Sequence, residues 1–427
     1  DMLKAAGANI VEFDEKADIY IVNTCSVTNI ADKKSRQMLH RARKMNPDGI
    51  VIAAGCYVQS AREILEQDEA IDIVISNNKK KSITEIVNDY INVRNNEKNA
   101  PGKDHEAMEY FVDISRETEY EEMGGHVPVG HTRAYVKIQD GCNQFCSYCI
   151  IPYVRGRIRS RSQEAILAEV SELAEAGIKE VVLTGIHISS YGKDKNNEGA
   201  LIELIEAISK IKGIKRIRLG SLEPGIITEE FVERISSNSK VCPHFHLSLQ
   251  SGCDSVLKRM NRKYTCEQYF EKCDMLRKAY KSPALTTDVI VGFPGETEEE
   301  FAETVRYLTE LNLYEMHIFK YSPRKGTVAA AMKEQVAPEI KNERSDVLLK
   351  LAHDNKTAYE AQFEGCELEV LVEEVVKKDN KTYLRGHTER YMDILIDVGD
   401  ISMPESFVNS FVYVTYTQNG GNLPLLL

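Results

Sequence analysis

The chain has 427 residues, of which 42% are hydrophobic and 28% are charged, and its formal net charge is −12. A length of this size suggests about two to four domains. Its ten cysteines are too sparse for a small secreted domain held by disulfides. We find neither an apolar run of about 18 residues nor a signal peptide. These features exclude disulfide-rich secreted proteins and membrane proteins. We therefore expect a cytoplasmic protein, in which grouped cysteines indicate metal binding or catalysis.

The two ends of the chain are unusual. The chain begins at Asp1 rather than Met and opens inside a predicted helix. The tail at 420–427 resembles no finished element. We expect the natural N-terminus to lie upstream of Asp1.

Residues 1–95 alternate short apolar strands with amphipathic helices. The predicted elements are strands at 18–24, 50–54 and 71–75 and helices at 31–45, 61–67 and 83–90. Strands separated by single helices predict a doubly wound α/β domain with a parallel sheet. Residues 96–130 are polar and rich in Asn, Glu, Lys and Gly, which predicts a linker with one strand near 111–114.

Residues 131–362 repeat the same alternation with longer helices. The predicted strands are 134–138, 180–183, 216–219, 244–247, 286–291 and 315–319. The predicted helices are 163–176, 200–209, 229–236, 266–279, 298–310 and, at the end, 337–362. Six β/α units predict a partial (β/α)6 barrel, whose chemistry would sit at the C-terminal ends of the strands.

Residues 363–427 show no helical pattern between the predicted strands. Short strands at 368–372, 383–385, 392–396 and 411–416 predict a small antiparallel β-barrel.

Three cysteines provide the strongest chemical signal. Cys142, Cys146 and Cys149 have the spacing C-x3-C-x2-C and follow the first predicted barrel strand. Thiolates at such spacings suit a [4Fe–4S] cluster, and three ligands leave the fourth iron open to a small molecule. The alternative is a zinc site that takes its fourth ligand from elsewhere.

This motif on a partial barrel resembles the radical S-adenosylmethionine (SAM) superfamily. The resemblance implies that SAM chelates the open iron and is cleaved to a 5′-deoxyadenosyl radical, which abstracts a hydrogen atom from the substrate. It also implies that the ends of later strands bind SAM. We expect Thr184 and Gly185 to meet its amino group, and Arg218 and Ser221 to pair its carboxylate. Gln250 and Asp288 end the fourth and fifth strands and are further candidates, although glycine and proline turns at such places are more often structural.

Cys25 and Cys56 form a second group, because each follows a predicted strand of the first domain. Such positions face one crevice of an α/β sheet, although free cysteines are also common in protein cores. Together with the barrel and the terminal domain, the segments Asn23–Thr28 and Ala54–Tyr57 resemble the methylthiotransferases. That family carries an auxiliary [4Fe–4S] cluster on three cysteines and a terminal TRAM domain. The resemblance implies that Cys25 and Cys56 hold this cluster with a third cysteine that lies before the opening helix.

The resemblance is closest to the branch that modifies N6-threonylcarbamoyladenosine next to the tRNA anticodon, because Asn23–Gln37 matches that branch. It implies a tRNA anticodon loop as substrate, an electron donor such as flavodoxin and a sulfur donor. The alternatives are a ribosomal-protein aspartate and isopentenyl-adenosine in tRNA. A zinc-bearing RNA-binding scaffold is a non-enzymatic alternative.

Charge gives mixed evidence about RNA. The net charge of −12 alone would argue against a nucleic-acid partner. Basic residues nevertheless form three runs near the predicted site, of which the third spans 258–263. The RNA-contact candidates from the first two runs are Lys33, Lys34, Arg36, Arg41, Arg155, Arg157 and Arg159. Solvated helix faces explain single runs of this kind more often than RNA does. Residues 364–427 hold eleven acidic and five basic side chains, which would suit a basic protein substrate better than RNA.

Other cysteines and histidines carry weaker signals. We expect Cys242, Cys253, Cys266, Cys273 and Cys366 to be core residues. His244 and His246 project from the same face of a strand, where they either reach the barrel cavity or lie satisfied in the core.

Overall fold

The structure is a computed structural model that describes residues 2–26, 28–96, 108–124, 131–379, 381–399, 403–418 and 420–422. About half of the predicted linker and the end of the tail lie outside these residues. Within the described part, no helix is both long enough and apolar enough to cross a bilayer.

The N-terminal part forms a four-stranded sheet with strand order β1-β2-β3-β4, and each neighbouring pair is parallel. Its elements are α1 (Met2–Ala5), β1 (Ile19–Thr24), α2 (Asn29–Met45), β2 (Ile50–Gly55), α3 (Cys56–Ser60), α4 (Arg62–Glu66), β3 (Ile73–Ile75), α5 (Ile83–Asn96) and β4 (Met108–Tyr110).

Apolar side chains of this sheet pack on both of its faces. Leu39 of α2 and Leu65 of α4 pack on one face, while Ile86 of α5 packs on the other. The α/β prediction is therefore correct. The described strands nevertheless follow chain order, without the reversal expected of a doubly wound sheet. The strand predicted at 111–114 lies slightly earlier in the chain, as β4 at Met108–Tyr110.

The central part forms two further sheets with the strand orders β6-β5-β7-β8 and β11-β10-β9. Parallel bridges from Ile217 to Val241 and from Leu222 to Leu247 connect them. The elements are β5 (Arg133–Asp140), α6 (Ile151–Val154), β6 (Arg159–Ser160), α7 (Gln163–Glu175), β7 (Glu180–Gly185), α8 (Ala200–Ser209), β8 (Arg216–Leu219), α9 (Glu229–Ser236), β9 (His244–His246), α10 (Asp254–Arg259), α11 (Cys266–Ala279), β10 (Ala284–Val291), α12 (Glu298–Leu311), β11 (Glu315–Lys320) and α13 (Pro338–Ala361).

Local sequence accounts for several of these helices. Thr265 and Thr297 are the N-cap residues of α11 and α12 and form capping boxes. In each box, the side chain of Gln268 or Glu300 accepts a hydrogen bond from the backbone amide of the cap residue. Alternate strand residues such as Val136, Leu183 and Val289 join one large apolar core with the helices. The remaining side chains of the central strands therefore face the other, concave side of a curled sheet.

The C-terminal strands close into a five-stranded barrel of order β12-β13-β14-β16-β15. They are β12 (Glu367–Lys378), β13 (Lys381–Thr388), β14 (Asp393–Asp397), β15 (Phe411–Thr417) and β16 (Gly420–Asn422). All pairs are antiparallel except β14 with β16. The predicted small barrel is therefore present, with one parallel pair that the sequence pattern did not reveal.

Contacts divide the chain into two compact units that do not follow the predicted domain borders. The first unit contains residues 1–126, 140–159 and 322–331, and the second contains 127–139, 160–321 and 332–427. The cysteine-rich segment after β5 thus belongs to the same unit as the N-terminal sheet. The C-terminal barrel belongs to the same unit as most of the central strands.

A buried ionic cluster attaches the C-terminal barrel to the central strands of the second unit. We name Glu180, Arg133, Arg216 and Arg218 the Glu180 group. The Glu180 carboxylate accepts from Arg133 Nε at 2.6 Å and from Arg218 Nε at 2.9 Å. Beyond Glu180, the arginines reach the barrel at Glu369, Glu373 and the carbonyls of residues 387–389. Burial alone would raise the pKa of Glu180, but the arginines outweigh it and lower the pKa to about 2.

Candidate functional site

The loop that carries the three predicted cluster cysteines begins with a tight turn. Gly141 has φ +75°, and a Cβ there would lie 1.8 Å from the carbonyl oxygen of Arg157. Only glycine fits such a close approach. The Cys142 amide donates to the Gly156 carbonyl at 3.0 Å, and the Cys149 amide donates to the Cys146 carbonyl at 2.9 Å. The backbone therefore holds three half-exposed, unoxidised cysteines in one loop.

Cys25 and Cys56 directly follow neighbouring strands. Thr24 at the end of β1 is the register partner of Gly55 at the end of β2, so the two cysteines leave the sheet side by side. Gly55 has φ +105°, and a Cβ there would lie 2.5 Å from the Thr24 carbonyl oxygen. Together with the cysteines of the 141–149 loop, the first unit contains all five predicted cysteine ligands.

Arg155 connects the two cysteine motifs within this unit. Its Nε donates to Cys56 Sγ at 3.0 Å, and its Nη1 donates to Asp140 Oδ2 at 3.2 Å. The other carboxylate oxygen of Asp140 accepts from the Gly141 amide at 2.8 Å. Asn77 Nδ2 also lies 3.7 Å from Cys56 Sγ. The Cys56 sulfur is thus surrounded by hydrogen-bond donors, as a thiolate or a cluster ligand requires.

The charges around Cys56 favour an anion. We name Arg155, Arg159, Asp140 and Cys56 the Arg155 group. The guanidinium groups of Arg155 and Arg159 share the carboxylate of Asp140, at 3.2 and 3.9 Å. Arg159 is fully buried, and burial lowers its pKa. Because a buried cation is costly without a partner, negative charge on Cys56 or on a group bound to it would stabilise this arrangement.

The RNA-contact candidates separate into exposed and buried side chains. Lys33, Lys34 and Arg36 are exposed on α2, and Arg41 is exposed but pairs with Asp14 at 2.6 Å. Arg157 is exposed. Arg155 and Arg159 are 23% and 1% exposed, and both pair with Asp140. The arginines therefore do not share one exposed edge, since Arg157 is exposed whereas Arg159 and Arg161 are buried.

An aromatic face lies beside the cysteine loop. The rings of Phe145 and Tyr153 meet edge to face with centroids 5.8 Å apart. The Arg157 guanidinium lies over the Phe145 ring at 4.6 Å. Tyr153 is 50% exposed. Exposed aromatic rings combined with arginine are typical of surfaces that stack unpaired nucleobases. We name Phe145, Tyr153 and Arg157 the aromatic face.

The predicted SAM residues lie at strand ends of the second unit. Thr184 and Gly185 end β7, and a Cβ at Gly185 would lie 2.8 Å from the Gln139 carbonyl oxygen. Ser221 Oγ lies 2.7 Å from Ser248 Oγ. Gln250 has φ +80°, a constrained backbone for a residue that is not glycine.

Two further residues of the SAM prediction have other neighbours. Arg218 is 3% exposed and bound within the Glu180 group, so its guanidinium is not available to a SAM carboxylate. Asp288 faces His246, with 3.4 Å between Oδ2 and Nε2. Both sets of contacts follow from side-chain direction, which depends on the register between strands.

His187 is a site candidate that the sequence reasoning missed. It follows the Thr184–Gly185 strand end, and its backbone amide donates to Gln139 Oε1 at 2.8 Å. Burial lowers the pKa of His187 to about 4, so the ring is neutral at physiological pH. Its buried Nε2 has no hydrogen-bond partner among the described residues. A polar ligand atom would satisfy it.

Most of the remaining cysteines are internal, as expected. Cys242, Cys253 and Cys273 are buried, and Cys266 is half-buried. The expectation is wrong for Cys366, which is exposed because it lies at the start of the C-terminal barrel.

Comparisons with known families agree with this geometry. A family model described as "Radical SAM superfamily" matches residues 136–308. One described as "Uncharacterized protein family UPF0004" matches residues 1–76. The solved structure of the radical S-adenosylmethionine methyltransferase TsrM from Kitasatospora setae is similar with a TM-score of 0.54. It covers 72% of this chain and 63% of that chain at 17% identity, so it supports the radical SAM fold alone.

Closer relatives match nearly the whole chain. The chain is 39% identical over 395 residues to the "Threonylcarbamoyladenosine tRNA methylthiotransferase MtaB" of Bacillus subtilis (strain 168), covering 92% of this chain and 85% of that protein. The protein of the same name from Aquifex aeolicus (strain VF5) is 37% identical over 388 residues, with coverages of 91% and 92%. A "tRNA-2-methylthio-N(6)-dimethylallyladenosine synthase" from Thermoanaerobacter pseudethanolicus is 36% identical over 427 residues, with coverages of 98% and 86%.

Proposed function

Because this chain belongs to the family of radical SAM tRNA methylthiotransferases, we propose that it methylthiolates C2 of N6-threonylcarbamoyladenosine next to the anticodon. The family makes it a SAM-dependent enzyme that carries a [4Fe–4S] cluster. The observation that carries the proposal is the collection of all five cysteines in one compact unit, together with 39% identity to a relative named for this nucleoside, against 36% for one named for dimethylallyladenosine.

Cys142, Cys146 and Cys149 hold the cluster that cleaves SAM. The donor set fits, because three thiols in one backbone-ordered loop are soft ligands suited to iron. When bound, the cluster and SAM supply the radical that activates the C–H bond of the substrate. The task of the chain itself is to place the thiols, and the Gly141 turn does so by letting residues 141 and 157 approach.

Cys25 and Cys56 contribute to a second, auxiliary cluster that delivers sulfur. The side-by-side exit of the two cysteines from β1 and β2 supports this assignment. Arg155 donates to Cys56 Sγ and balances the negative charge that thiolates and clusters bring.

Thr184, Gly185, Ser221 and Gln250 remain our candidates for SAM contacts. Gly185 lets the Gln139 carbonyl oxygen approach the strand end closely, and His187 offers an unsatisfied nitrogen two residues later. We leave Arg218 out of this set because of its buried partners.

A tRNA anticodon loop fits the first unit. The exposed cations Lys33, Lys34 and Arg36 suit a phosphate backbone, and the aromatic face suits unpaired bases. The acidic C-terminal barrel belongs to the other unit and is less suited to phosphate contact. A tRNA substrate places the reaction in the cytoplasm, where a small electron donor such as flavodoxin and a sulfur donor would complete the cycle.

Nucleoside analysis of tRNA from cells that lack the gene tests the substrate. We expect 2-methylthio-N6-threonylcarbamoyladenosine to disappear and to return when the gene is restored. Loss of 2-methylthio-isopentenyl-adenosine instead would assign the enzyme to the other branch. Unchanged levels of both nucleosides would contradict tRNA methylthiolation.

Cys142→Ala tests the cluster assignment, with the exposed Cys366→Ala as matched control. We expect the first variant to lose iron and at least about 10³-fold in activity, because without a radical the enzyme retains only binding. The control should retain both. A Cys142→Ala protein that keeps full iron content and activity would refute the assignment.

Tyr153→Ala tests the aromatic face. Removing one stacking ring should weaken binding of an anticodon stem-loop by about 1–3 kcal/mol. Filter binding or fluorescence anisotropy measures this loss, and Tyr413→Ala, which removes an exposed ring of the C-terminal barrel, is the control. Equal affinities of the two variants would exclude the aromatic face as an RNA contact.

A further inference from the structure

Three side chains of types that bind metals converge on the concave side of the central strands. His246 lies on β9, Asp288 on β10 and His317 on β11, which are neighbouring parallel strands. Asp288 and His317 are direct register partners, and His246 pairs with Thr286, two residues before Asp288. Because side chains alternate along a strand, Thr286 and Asp288 face the same side as His246. We name His246, Asp288 and His317 the His–Asp–His cluster.

The separations in this cluster fit ligands of one metal ion. One potential ligand atom from each residue lies within 4.8 Å of the other two. His246 Nε2 and Asp288 Oδ2 are 3.4 Å apart, longer than a usual charge-assisted hydrogen bond. Two ligands bound tetrahedrally to zinc at about 2.1 Å lie about 3.4 Å from each other. The third ligand, His317, is exposed and lies within the same 4.8 Å.

The histidine orientation is fixed by a neighbour. His246 Nδ1 lies 2.9 Å from Thr286 Oγ1, which directs Nε2 towards Asp288. Metal-binding histidines are commonly oriented in this way through their second ring nitrogen. The His246 and His317 rings stack with centroids 5.8 Å apart, so both present an edge to the same space.

Nearby charges do not oppose a cation. His244, two residues before His246 on the same strand, packs its ring against Tyr391. Arg218 is compensated by Glu180 at 2.9 Å. Asp288 supplies the acidic side chain of the cluster, and His246 and His317 supply imidazole nitrogens.

We propose that His246, Asp288 and His317 form a mononuclear site for a divalent transition-metal ion, best suited to Zn²⁺, with an open position for an oxygen ligand. Two imidazoles and one carboxylate are a common three-residue set for such ions, and a site with three protein ligands keeps a further position accessible. This assigns Asp288 to a metal rather than to SAM. The proposal rests on the His–Asp–His cluster and does not depend on the proposed methylthiolation.

Metal content of the enzyme loaded with its [4Fe–4S] cluster tests the proposal, in a Cys366→Ala background that removes an exposed free thiol. After addition of Zn²⁺ and gel filtration, we expect one zinc per chain in this background. His246→Ala and Asp288→Asn should each weaken zinc binding by at least tenfold. With Co²⁺ as the probe, the visible spectrum should show tetrahedral nitrogen and oxygen ligation without a thiolate charge-transfer band.

Two further variants make the outcome decisive. His40→Ala is the matched control, because His40 forms a surface pair with Asp68 at 2.8 Å. It should leave zinc binding unchanged. His317→Gln removes an exposed ligand, so it should retain the fold while losing zinc. Unchanged zinc binding in His317→Gln, or a Co²⁺ spectrum with thiolate bands, would overturn the proposal. Because neither tRNA nor SAM is present, failure here leaves the proposed activity untouched.

Discussion

The Arg155 group and the Glu180 group both bury arginines, but their charge balance differs. In the first unit, Arg155 and Arg159 share the single carboxylate of Asp140. In the second unit, three arginines meet the three carboxylates of Glu180, Glu369 and Glu373. In the second group the positive and negative charges balance, which suits a contact that holds the C-terminal barrel to the central strands. In the first group, Asp140 pairs with both arginines and Cys56 Sγ lies beside Arg155, which suits a place where a sulfur ligand binds.

The same residue type therefore serves two purposes. Arg218 donates to Glu180 and to the carbonyls of residues 388 and 389, so its role is to attach the C-terminal barrel. Arg155 donates to Asp140 and to Cys56 Sγ, so its role is to position a ligand. Substitutions and measurements at several pH values test whether the two groups differ in this way.

Glu180→Gln should have the largest effect on stability. The substitution leaves buried arginines without their shared carboxylate, which should lower the free energy of unfolding by about 3–5 kcal/mol. Urea denaturation followed by circular dichroism measures the change. A loss below about 1 kcal/mol would mean that the Glu180 group is not the contact described above.

Acid should reproduce part of this loss in the wild type. The pKa of Glu180 falls from an ordinary 4.5 to about 2 in the folded chain. A carboxyl whose pKa is lower when folded stabilises the fold above pH 4.5, and this contribution, about 3 kcal/mol, is lost as the pH falls towards 2. Denaturation at several pH values should show a steeper acid dependence in the wild type than in Glu180→Gln. Parallel curves would contradict the assignment.

Arg155→Gln should affect the cysteine site more than the fold. In a background where alanine replaces the cysteines of the 141–149 loop, it should weaken iron retention at Cys25 and Cys56 by about 10–100-fold. Iron release to a chelator measures this effect. Arg116→Gln, which alters an 86% exposed side chain of the same unit, is the control. Equal release from both variants would show that Arg155 is only structural.

Glu206→Gln should have the smallest effect. Glu206 pairs with Arg234 at 2.8 Å, but both side chains are partly exposed, at 39% and 30%. Solvent screens such pairs, so the loss should be below about 1 kcal/mol. A loss equal to that of Glu180→Gln would remove burial as the explanation of the contrast.

The sequence predicted the elements well because their patterns are local. Helices such as 200–209 and 229–236 match their predicted bounds, since apolar spacing and cap residues lie within the segment itself. The closely spaced C-x3-C-x2-C motif was equally readable. The prediction failed where distant segments decide the outcome, as for the strand order of the N-terminal sheet.

The site residues show the same division. Arg155, Arg157 and Arg159 look alike in sequence, yet only Arg157 is exposed, because the turn at Gly156 and the neighbouring Asp140 redirect the other two. His246 and Asp288 were each noticed, but not as a pair with His317. Strand alternation indicates which face a residue takes, whereas inter-strand register decides which residues meet.

The sequence was enough to assign the family, to predict the order of helices and strands, and to single out the cysteines that we propose as iron ligands. The folded structure was needed to learn which charges are buried together, that Cys56 contacts Arg155, and that His246, Asp288 and His317 share one face. The difference lies in the range of the interactions. Periodicity, capping and ligand spacing act over a few residues, whereas burial, register and charge compensation depend on segments far apart in the chain.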